Sequence, residues 1–168
     1  MDTCNGHGTA VAGFIMANAT NANASQPFVG VAPGVTVNMY RVFSCQSDST
    51  TEDVITQALA LAFADGVDII SMSLAGPNGW SEDPHIVIAD RLASKGVIIV
   101  AAAGNDGVDG LFYSSHPGAG QNVISVGSVD NTAYFGWPSL AAQNRTIVHQ
   151  CSNVLRGSIT SQQILLRQ

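Results

Sequence analysis

Near the start of the chain stands Gly6-His7-Gly8-Thr9-Ala10-Val11-Ala12-Gly13, the stretch from which the other segments are interpreted. Gly6 and Gly8 leave no side-chain bulk on either side of the His7 imidazole, so a peptide backbone could approach that ring closely. The small and apolar residues that follow predict a tightly packed helix over residues 10–17. Because histidine suits proton transfer near neutral pH, the stretch predicts an acid–base group held rigidly at the start of a buried helix.

The composition of the 168 residues predicts about one α/β domain and excludes several kinds of partner. Hydrophobic residues make up 46% and charged residues only 11%, which suits a buried parallel sheet with helices on both faces. A formal net charge of −6 without any basic run argues against nucleic acid. No apolar run reaches the roughly 18 residues that cross a bilayer, so no membrane partner is expected. Residues 2–7 are polar and lack the layout of a signal peptide, so the chain is expected to start inside a domain.

Strand and helix patterns alternate along the chain from its start to about Asn131. Ser49 and Glu52 have the spacing of a capping box, which predicts a helix that starts near Thr50 and stops at Gly66. The pair Asp83-Pro84 predicts the start of another helix. Strands are predicted over residues 35–43, 67–73, 97–100 and 123–129. Such alternation implies a three-layer α/β/α fold with a mostly parallel central sheet.

Periodicity ends at about Asn131. Residues 132–168 mix aromatic, proline, amide and basic residues without a sustained repeat, and they stay unassigned. This tail is interpreted as the start of an inserted domain or as non-native sequence.

Four short motifs, in this order and spacing, resemble those of the subtilisin-like serine proteases (subtilases). Residues 6–9 (GHGT) match the histidine motif of that family, and residues 30–33 (GVAP) match its next marker. Residues 71–76 (SMSLAG) look like its substrate-binding strand, and residues 102–105 (AAGN) like its oxyanion segment. The resemblance covers residues 2–131. It looks closest to secreted fungal and bacterial members with a protease-associated domain inserted after residues 129–131.

The resemblance implies roles for particular residues. His7 would be the general base and then the general acid, because a serine hydroxyl needs a neighbouring base to become a nucleophile. Asn105 would donate a hydrogen bond to the oxyanion of the tetrahedral intermediate. An extended polypeptide substrate would pair with the two walls of the groove. The wall residues are Ser73, Leu74, Ala75 and Gly76 on one side and Ala102, Ala103 and Gly104 on the other.

Two parts of the family's catalytic triad do not match. The family's aspartate lies in an Asp-[ST]-Gly strand well upstream of the histidine, whereas Asp2-Thr3-Cys4 stands only five residues before His7. The Gly-Thr-Ser nucleophile motif is missing, and neither Gly157-Ser158-Ile159 nor Ser161 has its context. Residues 1–131 are therefore interpreted as a partial, incomplete catalytic domain, and the chain alone is predicted to be inactive.

Two other functions stay open from the sequence. One is a catalytically dead, subtilase-like module that binds peptides and has lost the chemistry. The other is an unrelated nucleotide-binding α/β domain, which would need a glycine-rich phosphate loop that residues 104–107 do not provide.

The resemblance implies an extracellular, secreted protein, whereas the odd count of three cysteines does not by itself decide the compartment. Cys4 precedes the histidine motif, and Cys45 follows a strand that should enter the same end of the sheet. We expect these two to form a disulfide and Cys151 to stay free. Sequons at Asn18, Asn23 and Asn144 agree with secretion.

No metal site and no cofactor are predicted from the sequence. His85, His116 and His149 lie outside the motifs, and no metal-ligand spacing connects them. The resemblance leaves calcium binding open without identifying a site. It also implies a monomer for the full-length protease.

Overall fold

The structure is a computed structural model that describes residues 4, 6–19, 28–47, 49–110, 113–129, 136–141, 145–150 and 163–167. The chain divides into two compact units. The first contains Met1–Gly127 and Thr160–Gln168, and the second contains Ser128–Ile159. The second unit thus begins close to the position at which the sequence pattern ends; an inserted protease-associated domain stays a prediction.

Three α-helices lie in the described part of the first unit: α1 His7–Met16, α2 Glu52–Ala64 and α3 Pro84–Ala93. Helix α1 starts before the predicted residue 10, because Gly6 takes a left-handed conformation with φ 79° and lets the helix begin at His7. None of the described helices has the length and apolar character needed to cross a membrane.

The start of α2 differs from the prediction. Its N-cap is Thr51, and the capping box between Ser49 and Glu52 does not form. The Ser49 hydroxyl instead lies 2.7 Å from the hydroxyl of Ser47, which removes it from the helix terminus. Gly66, with φ 71°, follows the end of the helix as predicted.

A five-stranded sheet forms the centre of the first unit. Its strands are β3 Thr36–Tyr40, β9 Gln163–Arg167, β4 Ile69–Met72, β5 Ile98–Ala102 and β6 Ile124–Val126, in that spatial order. Strands β4, β5 and β6 are parallel, as the alternating pattern predicts. The incomplete α/β fold inferred from the sequence is therefore confirmed.

Strand β9 is the part of this sheet that the sequence did not predict. It lies antiparallel to both of its neighbours, β3 and β4, and separates them. Its residues belong to the tail that stayed unassigned, so the described tail contributes a strand to the main sheet.

Two further strand pairs are short and antiparallel. In the first unit, β1 Asn18–Ala19 pairs with β2 Phe28–Val29. In the second unit, β7 Gly136–Ala141 pairs with β8 Arg145–Gln150.

The core lies where α2 and α3 pack together beside the sheet. Leu59 of α2, Ile70 of β4 and Ile99 of β5 are almost completely buried. Full burial of such a side chain contributes about 1.5–3 kcal/mol. Ile98 and Ile124, in contrast, are 50% and 55% exposed, so apolar surface of β5 and β6 is left open. Helix α1 contacts β9 and does not belong to the buried cluster.

Candidate active site

His7 is the first residue of α1 and is half-buried. Burial lowers the pKa of the imidazole below its ordinary value, because the charged form loses hydration. The ring is therefore neutral at neutral pH, which is the form that can accept a proton. Gly8 is the one buried residue of α1, while Thr9 and Ala10 are exposed and a Cβ at Gly6 would meet no atom within 4 Å. The prediction of a buried, tightly packed helix after His7 is therefore wrong, because α1 lies outside the main core.

Asn105 lies on the turn that follows β5. The N–H of Ala103 donates to the carbonyl of Val126 at 2.9 Å, which extends the pairing of β5 with β6. Gly104 then adopts φ 108°, a conformation that favours glycine, and the chain turns away from the sheet. Asn105 is exposed beyond this turn. The tight turn after a buried strand thus presents the Asn105 amide at the surface, as its expected role requires.

The predicted substrate strand follows β4 directly. Leu74 is buried and holds the segment against the core, whereas Ala75 beside it is exposed. Ser73 and Gly76 are half-buried. Both backbone groups of Gly76 already bond to His116, so Ala75 is the exposed residue of this segment with which an extended peptide could pair.

The two predicted walls of the groove are connected through Ser115 and His116. Gly76 and His116 form an antiparallel bridge. The Ser115 N–H donates to the carbonyl of Ala103 at 3.1 Å. Gly104 packs so closely on Ser115 that any side chain at residue 104 would overlap its hydroxyl. The sequence predicted no role for Ser115 or His116, because nothing in their local pattern marks a contact with the two earlier segments.

A depression of about 500 Å³ adjoins these connected segments. Its lining residues follow Gly76 or precede Ser115 in the chain: Pro77, Asn78, Gly79, Trp80, Tyr113 and Ser114. Its lining contains both apolar and polar groups, as is common in sites that bind organic ligands.

Two histidines meet beside this depression. Nε2 of His85 lies 2.5 Å from Nδ1 of His116, and the ring centroids are 4.2 Å apart. His85 is completely buried. Burial, and then the nearby His116, lower the pKa of His85. The two residues are well separated in the sequence, and their spacing did not connect them.

Two of the predicted cysteines form a disulfide, and several other predicted residues lie outside the described part of the chain. Cys4 and Cys45 form a disulfide in the structure, with Cα atoms 5.1 Å apart. Asp2, Cys151, Gly157, Ser158 and Ser161 lie outside the described residues, so the interpretations given to them stay predictions.

Comparison with known families and proteins agrees with the motifs. The model of the subtilase family (Peptidase_S8) matches residues 1–166. The match therefore extends beyond residue 131, at which the motif-based resemblance ends.

Individual relatives have similar levels of identity. Subtilisin DY of Bacillus licheniformis is 38% identical over 76% of this chain and 44% of that protein. The Major intracellular serine protease of Bacillus subtilis (strain 168) is 41% identical over 74% of this chain and 38% of that protein. The Minor extracellular protease Vpr of the same strain is 36% identical over 73% of this chain and 14% of that protein. The chain thus spans less than half the length of these relatives.

Proposed function

Because the chain belongs to the subtilase family, we propose that it forms part of a serine endopeptidase that hydrolyses peptide bonds in proteins. The observation that carries the proposal is the connection of both groove walls through Ser115 and His116. Residues that resemble the substrate strand and the oxyanion turn become one continuous surface by this connection. Because both segments follow neighbouring parallel strands, the sheet also places them at the same edge, which agrees with the order of the motifs.

In this proposal His7 provides the acid–base chemistry. The neutral imidazole accepts the proton of a serine hydroxyl as that oxygen attacks the peptide carbonyl, and it then gives the proton to the leaving amine. Fixing the ring at a helix start reduces the reorientation needed between the two transfers.

Asn105 stabilises the charge that develops on the carbonyl oxygen. Its side-chain amide is the donor, and the turn at Gly104 holds that donor in place. The substrate backbone pairs with the exposed segment around Ala75 that follows β4, while its side chains are accommodated toward the depression beside Trp80.

The serine and the aspartate of the triad have no matching motif in this sequence. We therefore propose that other segments of the whole protease supply them, and that the 168-residue chain alone does not hydrolyse peptides. The mechanism uses protein groups and water and needs no cofactor.

We also propose that the protease acts outside the cell. The Cys4–Cys45 disulfide supports an oxidising compartment. The names of the relatives do not decide the question, since they include one intracellular and one extracellular protease of the same organism.

A chimera tests the chemistry. The aligned stretch of about 130 residues replaces its counterpart in subtilisin DY, and hydrolysis of a chromogenic peptide is measured. We expect the chimera to be active. Asn105→Ala is expected to lower its kcat by about 10²–10³-fold, the loss that the corresponding donor shows in subtilisin itself. His7→Ala is expected to remove nearly all turnover. Asn122→Ala changes another exposed asparagine and serves as the matched control.

The result for the isolated chain distinguishes the fragment from a self-sufficient enzyme. Hydrolysis of casein above the His7→Ala background, or labelling of any serine by a fluorophosphonate, would contradict the proposal. A folded chimera that binds peptide equally well with and without His7, and never cleaves it, would favour the peptide-binding module.

A further inference from the structure

Asp83, His85 and His116 form a cluster of metal-binding side chains that the proposed hydrolysis does not use. One ligand atom from each residue lies within 4.8 Å of the others. His85 belongs to the first turn of α3, Asp83 is the N-cap of that helix, and His116 comes from the segment that connects the groove walls. Two imidazoles and one carboxylate therefore converge from two separate parts of the first unit.

The burial of His85 needs an explanation. The side chain is completely buried, and its Nδ1 makes no hydrogen bond to any residue in the described part of the chain. Leaving a buried polar atom unsatisfied costs about 1–3 kcal/mol. A leucine or phenylalanine would fill the same space without that cost, so packing alone does not explain a histidine at residue 85. The other ring nitrogen, Nε2, faces His116 and is the atom available to a cation in the cluster.

The carboxylate is already oriented for such a role. Asp83 stands at the N-terminus of α3 but makes no capping hydrogen bond to the helix. Its Oδ2 instead accepts a hydrogen bond from the side-chain amide of Asn78. Partners of this kind fix the direction of a ligand carboxylate in metal sites.

We propose that Asp83, His85 and His116 bind a divalent transition-metal ion of the Zn²⁺ class. Two nitrogen ligands and one oxygen ligand suit Zn²⁺, while Ca²⁺ and Mg²⁺ prefer sets made of oxygen alone. Tetrahedral ligation places ligand atoms about 3.3 Å apart. Metal binding therefore requires the 2.5 Å distance between His85 Nε2 and His116 Nδ1 to lengthen slightly. The larger distances between ligand atoms, up to 4.8 Å, have to shorten. Water would complete the coordination, because Asp83 and His116 are only half-buried.

Metal binding would also affect the predicted substrate strand. The His116 ring lies between His85 and Gly76, and Gly76 approaches it so closely that a Cβ there would overlap Nε2. A cation that fixes His116 therefore also fixes the bridge to Gly76. This consequence concerns the order of the segment and holds whether or not the whole protein is a protease.

Titration with Zn²⁺ tests the site in the full 168-residue chain. The chain is untagged and carries Cys151→Ser, so that no free thiol competes for the metal. Isothermal titration is expected to show one Zn²⁺ per chain, and Co²⁺ in its place is expected to give the visible absorption of a tetrahedral ion. Hydrogen exchange at the amides of Gly76 and His116 should slow when Zn²⁺ is added.

Variants of the half-buried ligands show whether these residues bind the ion. His116→Asn and Asp83→Asn are each expected to weaken Zn²⁺ binding by at least tenfold, since loss of an outer-shell partner alone costs about 10–100-fold. Asp109→Asn removes an exposed carboxylate outside the cluster and should leave affinity unchanged. Far-UV circular dichroism checks the folding of each variant, and either ligand variant suffices if the other unfolds. No binding by the parent chain, or equal affinity in the ligand and control variants, would overturn the proposal.

Discussion

Gly76 and His116 each donate their backbone N–H to the carbonyl oxygen of the other, and both N···O distances are 3.2 Å. This pair of hydrogen bonds fixes the end of the predicted substrate strand to a segment that lies far later in the chain. The position of one groove wall therefore depends on a residue that lies outside the sequence motif of that wall. Substitutions at the glycines on both walls can test how much this connection contributes.

Replacement of Gly76 by alanine should disturb the connection. A Cβ at residue 76 would overlap the His116 imidazole, so the ring has to move. We expect a loss of about 1–3 kcal/mol in the free energy of unfolding, the usual cost of overpacking. Urea denaturation followed by tryptophan fluorescence measures it. Gly34→Ala is the matched control, because a Cβ at residue 34 meets no atom within 4 Å. Equal effects of the two variants would show that the contact with His116 carries no energy.

Gly104→Ala should damage the oxyanion turn in two ways. The φ of 108° is strained for alanine, and the new Cβ would overlap Ser115. We expect a destabilisation of about 1–3 kcal/mol, and a fall in kcat when the change is made in the chimera.

A second replacement separates the two causes at Gly104. Combining Gly104→Ala with Ser115→Gly removes the overlap but keeps the unfavourable φ, so only part of the loss should be recovered. Gly107→Ala, at a glycine with open space around it, is expected to change stability by less than about 0.5 kcal/mol. Full recovery in the double variant would mean that backbone strain at residue 104 is negligible.

His7 should titrate at lower pH than a histidine in an unfolded peptide. Burial lowers its pKa in the folded protein, so the unfolded chain takes up this proton first as the pH falls. Stability should consequently be insensitive to His7 above the ordinary pKa of 6.5 and should decrease as the pH falls below it.

Nuclear magnetic resonance can measure this titration directly. The Cε1–H signal is assigned by its loss in His7→Gln, and that variant should also show a flatter decline of stability in acid. The measurement uses the 168-residue chain, because a triad aspartate in the chimera would raise the pKa of His7. A His7 midpoint above 6.5 would contradict the effect of burial.

The Cys4–Cys45 disulfide should contribute measurably to stability. The two cysteines are 41 residues apart. In the chain-entropy model, closing a loop of that length raises the free energy of the unfolded chain by about 4 kcal/mol. Peptide mapping without reductant should recover Cys4 joined to Cys45, and dithiothreitol should lower the urea midpoint. Cys151→Ser should change neither result. Recovery of Cys4 as a free thiol, or joined to Cys151, would reject the pairing.

Prediction from the sequence succeeded where the signal was local. Proline at the first position of α3, and glycines at the ends of helices, act on the backbone within a few residues and mark boundaries directly. Apolar runs such as residues 97–100 also predict strands without knowledge of their partners, although Ile98 in this run is 50% exposed. The predicted capping box at Ser49 does not form, because the Ser49 hydroxyl contacts the hydroxyl of Ser47 instead.

Long-range pairing could not be obtained in this way. Strand β9 takes its place between β3 and β4 through backbone hydrogen bonds to segments from much earlier in the chain, and such bonds leave no side-chain pattern in the sequence. The contact between His85 and His116 is of the same kind, since it depends on the path of two separate segments.

The sequence by itself determined the subtilase motifs, the alternation of strands and helices, and the candidate roles of His7 and Asn105, because short-range sterics and side-chain chemistry act within a few residues. Only the tertiary structure decided that Ser115 and His116 connect the two groove walls, that β9 joins the main sheet, and that Asp83 converges with two histidines. These relationships arise when the core between α2, α3 and the sheet is buried, which fixes distant segments side by side at distances that no local pattern encodes.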